Sequence, residues 1–347
     1  MSYEWPIDPQ ELFHERYPQM TRGLASADVD AVRSSIRHMW IDEPGGWVYE
    51  WSQLAKRYAD EGRHDLATTA YGWAKFPTLA NDASRRALQR QLEQYELWSR
   101  EFPVDHERRI LQLPIGTTTT PVAVNIFSPR GAASDTPVVL ASGGVDSWKM
   151  DLPQIFLAFA QHAGLRVIAF DIPGTGESQI HMSPAGSQIV TGLVAEAKSL
   201  GARKVGHLGI SMGGYFSARS GLAGDVDAAI VLGGPVEAAF DQKQEANFGM
   251  SDIVGNALGF TRRPQREELM HSLSAFSLRP LLERQTNAPM LVINGADDVH
   301  VPQHDTLVFE GRKDTDVALL ENTGHCAVTR LDEVVPRMLG WMAQRLR

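Results

Sequence analysis

The chain has 347 residues, a single cysteine (Cys326) and a net charge of -9, from 33 basic and 42 acidic side chains. One cysteine can form neither an internal disulfide nor a multi-thiolate zinc site, which excludes a disulfide-stapled secreted domain and a zinc ribbon. The acidic charge repels phosphate backbones, and no basic tract with interleaved aromatic residues offsets it, so we expect no nucleic-acid partner.

The sequence shows no pattern typical of secretion or membrane insertion. Residues 1–9 lack a basic stretch followed by an apolar one, and nowhere do about 18 uncharged apolar residues run together. We therefore expect a cytoplasmic protein that does not associate with a membrane.

Residues 1–103 have a helical pattern and hold six of the eight tryptophans. In residues 83–102, apolar side chains recur three or four positions apart: Leu88, Leu92, Tyr95 and Trp98. Pro103 ends this pattern. The sequence predicts an N-terminal helical domain of four or five helices, which we interpret as a lid.

From residue 104 onward, short apolar runs alternate with helical patterns. The runs are residues 109–115, 122–127, 138–141, 166–171, 204–209, 228–232, 290–294 and 317–320. The first two resemble an antiparallel pair, and the others are typical of parallel strands buried on both faces. Right-handed crossovers then favour a doubly wound, mostly parallel α/β sheet over residues 104–347.

The alternation breaks between Pro235 and Pro289, where the sequence is mostly helical and rich in Phe and Met. Ligands of open α/β sheets bind outside the carboxyl ends of the strands, and this insertion follows such an end. We predict a helical cap insertion over about residues 235–288.

The chemistry-bearing motif is Gly-x-Ser-x-Gly at residues 209–213, between a predicted strand and a predicted helix. A sharp strand-to-helix turn exposes the oxygen of its serine, and side chains at the flanking positions would collide with nearby backbone. The helix N-terminus also directs N–H groups at a developing oxyanion. Ser211 is therefore the candidate nucleophile.

A serine hydroxyl needs a base, and the base needs an acid that holds its tautomer. Asp297 and Asp298 follow the seventh predicted strand, and His325 follows the eighth. The order Ser, Asp, His is the chain order of α/β-hydrolases. On spacing alone, either aspartate could be the acid.

Residues 104–347 resemble an α/β-hydrolase, and the whole chain resembles the FrsA-like esterase group. Relatives of that group include the 2,6-dihydroxypseudooxynicotine hydrolase and fungal polyketide-shortening hydrolases. Beside the three motifs above, Asp-Ile-Pro-Gly-Thr-Gly-Glu-Ser at residues 171–178 is similar to the turn that follows strand four in these enzymes. The resemblance implies the catalytic residues Ser211, Asp298 and His325, because its motif places the acid three residues after the glycine.

The resemblance also implies an oxyanion hole. Ser-Gly-Gly-Val-Asp-Ser at residues 142–147 lies where the family places one half of it. The N–H of Gly144 or Val145 is expected to join that of Met212. Asp146, in the same loop, is a candidate for orienting the loop or contacting substrate.

Three further residues are candidates for the substrate pocket. In carbon-carbon hydrolases of the group an acidic residue assists the triad, and Glu237 is the candidate here, the alternative being a cap ion pair. Trp148 and Tyr215 could line the pocket, although aromatic residues after a strand usually pack in the core.

We expect no metal and no cofactor. His300 and His304 are four residues apart, but Pro302 lies between them and no zinc-protease glutamate follows. No dinucleotide-binding or Walker A motif is present, since Gln179 stands where a dinucleotide fingerprint requires glycine. Cys326 is interpreted as a packing residue.

The sequence therefore predicts a serine hydrolase acting on a small carbonyl-containing metabolite, apolar or aromatic, through an acyl-enzyme. Ester bonds and carbon-carbon bonds of the β-diketone type both fit the resemblance. A lyase or cyclase acting on a polyketide-like substrate with the same triad is one alternative, and a non-catalytic binding protein on the same scaffold is another. Members of the group often form homodimers, so both a homodimer and a monomer stay open here.

Overall fold

The computed structural model describes residues 2–241 and 250–347. The chain forms two compact units: Met1–Phe102 with Asp252–Pro264, and Pro103–Ser251 with Gln265–Arg347. Part of the insertion predicted at 235–288 thus belongs to the first unit, and residues 242–249 of it lie outside the described residues. None of the described helices is long and apolar enough to cross a bilayer.

Amphipathic helices build the first unit, and the first and fifth of them have side-chain caps at their N-termini. They are α1 (Pro9–Gly23), α2 (Ser26–Ser35), α3 (Trp47–Asp60), α4 (His64–Lys75) and α5 (Asp82–Trp98). The side chain of Asp8 accepts from the N–H of Gln10 at the start of α1, and Asn81 forms a reciprocal capping box with Ser84 at α5. These bonds satisfy N–H groups that have no acceptor inside the helix.

An aromatic core joins these helices. Phe13 stacks on Trp51 with ring centroids 5.8 Å apart and contacts Trp47 at 4.8 Å. Trp47 and Trp51 are fully buried, and the indole N–H of Trp47 donates to the carbonyl of Trp73 over 2.7 Å. Large rings of this kind contribute most of the apolar area that a small helical unit buries.

The second stretch of this unit begins within α9 (Met250–Ala257) and is held by paired hydrogen bonds. The N–H of Tyr3 donates to Asn256 Oδ1, and Asn256 Nδ2 donates to the carbonyl of Tyr3, each over 3.1 Å. Asp252 pairs with Arg263 at 2.8 Å. Residues far apart in sequence therefore complete one helical core.

In the described part of the second unit, eight strands form one sheet with the order β1-β2-β4-β3-β5-β6-β7-β8. They are β1 (Asp105–Ile115), β2 (Thr118–Ser128), β3 (Val138–Ser142), β4 (Arg166–Phe170), β5 (Val205–Ile210), β6 (Ala228–Leu232), β7 (Met290–Gly295) and β8 (Thr315–Leu320). β1 and β2 are antiparallel, β2 runs antiparallel to β4, and the remaining pairs are parallel. The predicted mostly parallel α/β-hydrolase sheet is confirmed.

Helices flank the sheet, as the crossovers between parallel strands require. They are α6 (Pro153–His162), α7 (Gln188–Ser199), α8 (Met212–Ala223), α12 (His304–Leu307) and α13 (Leu331–Leu346). Two further helices, α10 (Arg266–Ser274) and α11 (Arg279–Leu282), lie in the chain between β6 and β7. Every residue of β3, β5, β6 and β7 is buried. Because these strands are parallel, the loops that follow them meet at one edge of the sheet, where the candidate site lies.

Candidate active site

Ser211 occupies the turn between β5 and α8 in a strained backbone conformation, with φ 56° and ψ -127°. The flanking glycines leave no room for a side chain. A Cβ at Gly209 would lie 2.0 Å from the carbonyl oxygen of Gly213, and one at Gly213 would lie 2.4 Å from that of Gly143. The Gly-x-Ser-x-Gly spacing is thus a steric requirement of this turn.

A continuous chain of hydrogen bonds links the serine to a carboxylate. His325 Nε2 lies 2.9 Å from Ser211 Oγ, and His325 Nδ1 lies 2.7 Å from Asp298 Oδ2. Of the two adjacent aspartates, the structure therefore places Asp298 against the imidazole, whereas Asp297 is exposed. These distances suit proton transfer from a hydroxyl to a base held in one tautomer.

Asp298 is held in its ionised form by donors on all sides. Its side chain is fully buried and accepts from Asn294 Nδ2 at 2.8 Å, from the N–H of His300 at 2.7 Å and from the N–H of Val301 at 3.1 Å. Burial alone raises the pKa of Asp298, but the bonds from His325 and these donors outweigh it and lower the pKa below its usual value. The carboxylate keeps its negative charge beside the imidazole.

His325 has a strengthened proton affinity. Burial of the ring lowers its pKa, yet the neighbouring Cys326 and the Asp298 carboxylate favour the imidazolium, and the pKa of His325 lies well above its usual value. A raised pKa favours the imidazolium that a general base forms when it accepts a proton from a serine.

The loop after β3 lies against the serine oxygen. A Cβ at Gly144 would lie 2.8 Å from Ser211 Cβ, so only glycine fits there. Of the two candidate oxyanion-hole donors in this loop, Gly144 donates its N–H to the carbonyl of Ser147 over 2.9 Å. The N–H of Val145 has no acceptor in the described part of the chain, and Met212, as first residue of α8, has none inside its helix.

The other predicted pocket residues are mostly interior. Trp148 is 3% exposed, and its indole N–H donates to the carbonyl of Val145 over 3.0 Å, which braces the loop. Asp146 is also buried. Tyr215 is 1% exposed, with its ring packed edge-on against Phe240 and Phe276. These contacts match the core packing that was the alternative for Trp148 and Tyr215.

Glu237, the candidate auxiliary acid, is engaged by two basic side chains. Its Oε1 accepts from Arg279, and its Oε2 lies 3.5 Å from His304 Nε2. The carboxylate is 13% exposed. This is the ion-pair arrangement that stood as the alternative to an acid role.

Two residues that sequence reasoning missed support the triad. Asn294, fully buried at the end of β7, donates to Asp298, and its Oδ1 accepts from the N–H of Cys326 over 3.0 Å. His300 packs its ring edge-on against His325 with centroids 5.3 Å apart. A polar residue that ends an otherwise apolar strand was the available sequence signal for Asn294.

Asp305, in α12, was also missed. Its fully buried carboxylate accepts four backbone N–H bonds, of 2.5 to 3.2 Å, from the consecutive residues 236–239. It thereby fixes the loop after β6 that carries Glu237. Because its partners are backbone groups of a distant segment, no side-chain pattern in the sequence marks this contact.

Comparison with known proteins assigns the fold and the family. The sequence model of the esterase FrsA-like family matches residues 24–347. Esterase FrsA of Citrobacter koseri is 24% identical over 98% of this chain and 85% of its own, and the hydrolyase poxO of Penicillium oxalicum is 25% identical over 55% of this chain and 52% of its own.

Two solved structures share the architecture over nearly the whole chain. Wild-type AbyA5 superposes with a TM-score of 0.76 at 20% identity, covering 95% of this chain and 97% of its own. The 2,6-dihydroxy-pseudo-oxynicotine hydrolase superposes with a TM-score of 0.72 at 20% identity, covering 93% of each chain. This chain is an enzyme of the esterase FrsA-like family, a hydrolase with the α/β-hydrolase fold.

Proposed function

We propose that the enzyme is a serine hydrolase that cleaves an apolar or aromatic carbonyl-containing metabolite through an acyl-enzyme. The hydrogen-bonded chain from Ser211 through His325 to Asp298 carries this proposal. It combines a nucleophile, a base within hydrogen-bond distance and an ionised acid on the far ring nitrogen, which is the arrangement that activates a weak hydroxyl nucleophile.

The first half of the reaction forms the acyl-enzyme. His325 Nε2 accepts the proton of Ser211 while Oγ attacks the carbonyl carbon, and the Asp298 carboxylate stabilises the resulting imidazolium. The N–H groups of Met212 and Val145 receive the oxyanion. The same proton then passes from His325 to the leaving group.

The second half releases the acyl group. His325 removes a proton from water, the hydroxide attacks the acyl-enzyme, and Ser211 leaves with the proton restored. Each oxyanion-hole donor typically contributes about 3 to 4 kcal/mol of barrier lowering in such reactions. No step in this sequence requires a redox group.

Cleavage of an ester bond and cleavage of a carbon-carbon bond place different demands on the leaving group. An alcohol can take its proton directly from His325, whereas a carbon leaving group must depart as an enolate stabilised by an adjacent ketone. Relatives are named as an esterase and as a hydrolase of 2,6-dihydroxy-pseudo-oxynicotine. Ester and β-diketone substrates therefore form the two arms of a substrate screen.

Fluorophosphonate labelling tests the nucleophile. Wild type, Ser211→Ala and the exposed-serine control Ser199→Ala are each treated with the probe and weighed intact by mass spectrometry. We expect one adduct on wild type and on Ser199→Ala and none on Ser211→Ala. An adduct that persists on Ser211→Ala would place the reactive nucleophile elsewhere.

Turnover in ¹⁸O-labelled water separates hydrolysis from the alternative lyase or cyclase reaction. Hydrolysis introduces one solvent oxygen into the acid product. A product without the label would overturn the hydrolytic step while leaving the acyl-transfer chemistry of Ser211 intact.

A further inference from the structure

Lys149 is a fully buried lysine in the loop that carries Val145. Its Nζ lies 2.5 Å from Asp171 Oδ2 and 2.8 Å from Glu177 Oε2. Burying an ammonium group costs free energy unless a carboxylate pairs with it. The two carboxylates therefore determine where the Lys149 ammonium can lie. Neither the triad nor the oxyanion hole uses this group directly.

The charges around Lys149 balance. Arg108 of β1 pairs with Glu177 Oε1, so two cations face two carboxylates. Burial lowers the pKa of Lys149, but Asp171 and Glu177 outweigh it and raise the pKa above its usual value. Burial raises the pKa of Glu177, and Lys149 and Arg108 lower it overall. Lys149 and Glu177 therefore both favour their charged forms.

Backbone bonds tie this cluster to the loop. The N–H of Lys149 donates to Asp171 Oδ1 over 2.9 Å, and the N–H of Glu177 donates to Asp171 Oδ2 over 2.9 Å. Gly176, with φ +51°, lies against the same carboxylate, and a Cβ there would stand 2.2 Å from Asp171 Oδ2. These contacts fix the position of the Asp171 carboxylate, which therefore fixes the position of the Lys149 ammonium.

Other hydrogen bonds also lie within the loop between Ser142 and Lys149. The N–H of Gly144 bonds to Ser147, and the indole of Trp148 bonds to the carbonyl of Val145. The N-terminal end of the loop continues directly from β3. Its C-terminal end is held by Lys149, which directly follows Trp148.

We propose that Lys149 is a positioning residue for the oxyanion hole: its pairing with Asp171 and Glu177 fixes the loop so that the N–H of Val145 faces the substrate oxyanion. The inference rests on the serine hydrolase function proposed above. Lys149 acts through the backbone and touches no reacting atom. Its loss is expected to weaken transition-state binding and to leave ground-state binding unchanged.

The test compares Lys149→Met with Lys204→Met. Lys204 donates to the carbonyls of Arg345 and Arg347, outside this cluster, and is the matched control. On an aryl ester, Lys149→Met is expected to lower kcat about 10- to 100-fold with KM within about twofold, a part of the 10²- to 10³-fold effect of one oxyanion donor. Binding of an aryl trifluoromethyl ketone, which forms a tetrahedral adduct, is expected to weaken by a similar factor.

Active-site titration corrects the rates for unfolded enzyme, and a second, less disruptive variant serves if Lys149→Met fails to fold. Rates are normalised to the fraction of enzyme labelled by a fluorophosphonate, so that unfolded protein does not count. Glu177→Gln keeps the Lys149–Asp171 pair and is expected to lower kcat by a smaller factor, which provides the measurement if Lys149→Met does not fold.

The outcomes separate the two proposals. Unchanged kcat and unchanged ketone affinity in the folded fraction of either variant would overturn the positioning role and leave the hydrolase function standing. Wild type that neither reacts with the fluorophosphonate nor hydrolyses esters would overturn the hydrolase function itself.

Discussion

Asn294 donates a hydrogen bond from Nδ2 to Oδ2 of Asp298 over 2.8 Å, the same carboxylate oxygen that lies 2.7 Å from His325 Nδ1. Its Oδ1 accepts from the N–H of Cys326, the residue after the base. One buried amide therefore joins the loop of the acid to the loop of the base and fixes the direction in which the imidazole points.

Replacing Asn294 by alanine is expected to cost about 1 to 3 kcal/mol of unfolding free energy, because the buried N–H of Cys326 loses its acceptor. The rate is also expected to fall, since Asp298 loses a donor. Urea unfolding and kcat are the measurements. Asn287→Ala, before β7, is the control; an equal loss of activity there would contradict a specific role for Asn294.

The strained backbone of Ser211 predicts a difference between two inactive variants. Ser211→Ala keeps a Cβ at φ 56°, whereas Ser211→Gly removes it. Ser211→Gly is therefore expected to be more stable than Ser211→Ala by about 1 kcal/mol, even though glycine loses more chain entropy on folding. Thermal unfolding of both proteins checks this, and equal melting temperatures would show that the turn carries no strain.

Gly144→Ala is expected to abolish esterase activity, because the new Cβ would lie 2.9 Å from Ser211 Oγ. The same substitution at Gly340 in α13 meets no atom within 4 Å. Gly340→Ala should retain full activity and gain up to about 1 kcal/mol of stability from helix propensity. Steady-state rates on an aryl ester distinguish the two, and an active Gly144→Ala would refute the close approach of this loop to the serine.

The raised pKa of His325 predicts the acid limb of the pH profile. Only neutral His325 can accept the serine proton, so kcat/KM rises with pH through the pKa of the free enzyme, with a midpoint above about 6.5. In Asp298→Asn the carboxylate no longer favours the imidazolium, and the midpoint should move to lower pH. The plateau should also fall, by about 10³- to 10⁴-fold. A midpoint that stays in place would assign the limb to another group.

Sequence patterns predicted the interior of the sheet better than its first pair of strands. β3 to β7 are short apolar runs, and the predicted bounds agree with the structure to within one residue. β1 and β2 each begin four residues earlier than predicted. The two strands pair residue by residue from Asp105 and Ser128 to Ile115 and Thr118. The first residues of each strand are mostly polar, so an apolar pattern could not reveal them.

The hydrogen-bonded arrangement of Ser211, His325 and Asp298 was predictable because steric and chemical demands fix the residue types and their order. The supporting contacts were not, since Asp305 and Lys149 act on backbone or on charges far away in sequence. The sequence alone could not choose between Gly144 and Val145 as the candidate oxyanion-hole donor. In the structure they differ because the N–H of Gly144 donates to the carbonyl of Ser147.

The discontinuous first unit has a consequence for biosynthesis. Asn256, which bonds to Tyr3 in both directions, is translated 253 residues after it. At roughly 5 to 20 residues per second, the helices of Met1–Phe102 leave the ribosome on the order of tens of seconds before that partner exists. During this interval the backbone N–H and carbonyl of Tyr3 lack their Asn256 partner, because residue 256 is synthesised only after β1 to β6.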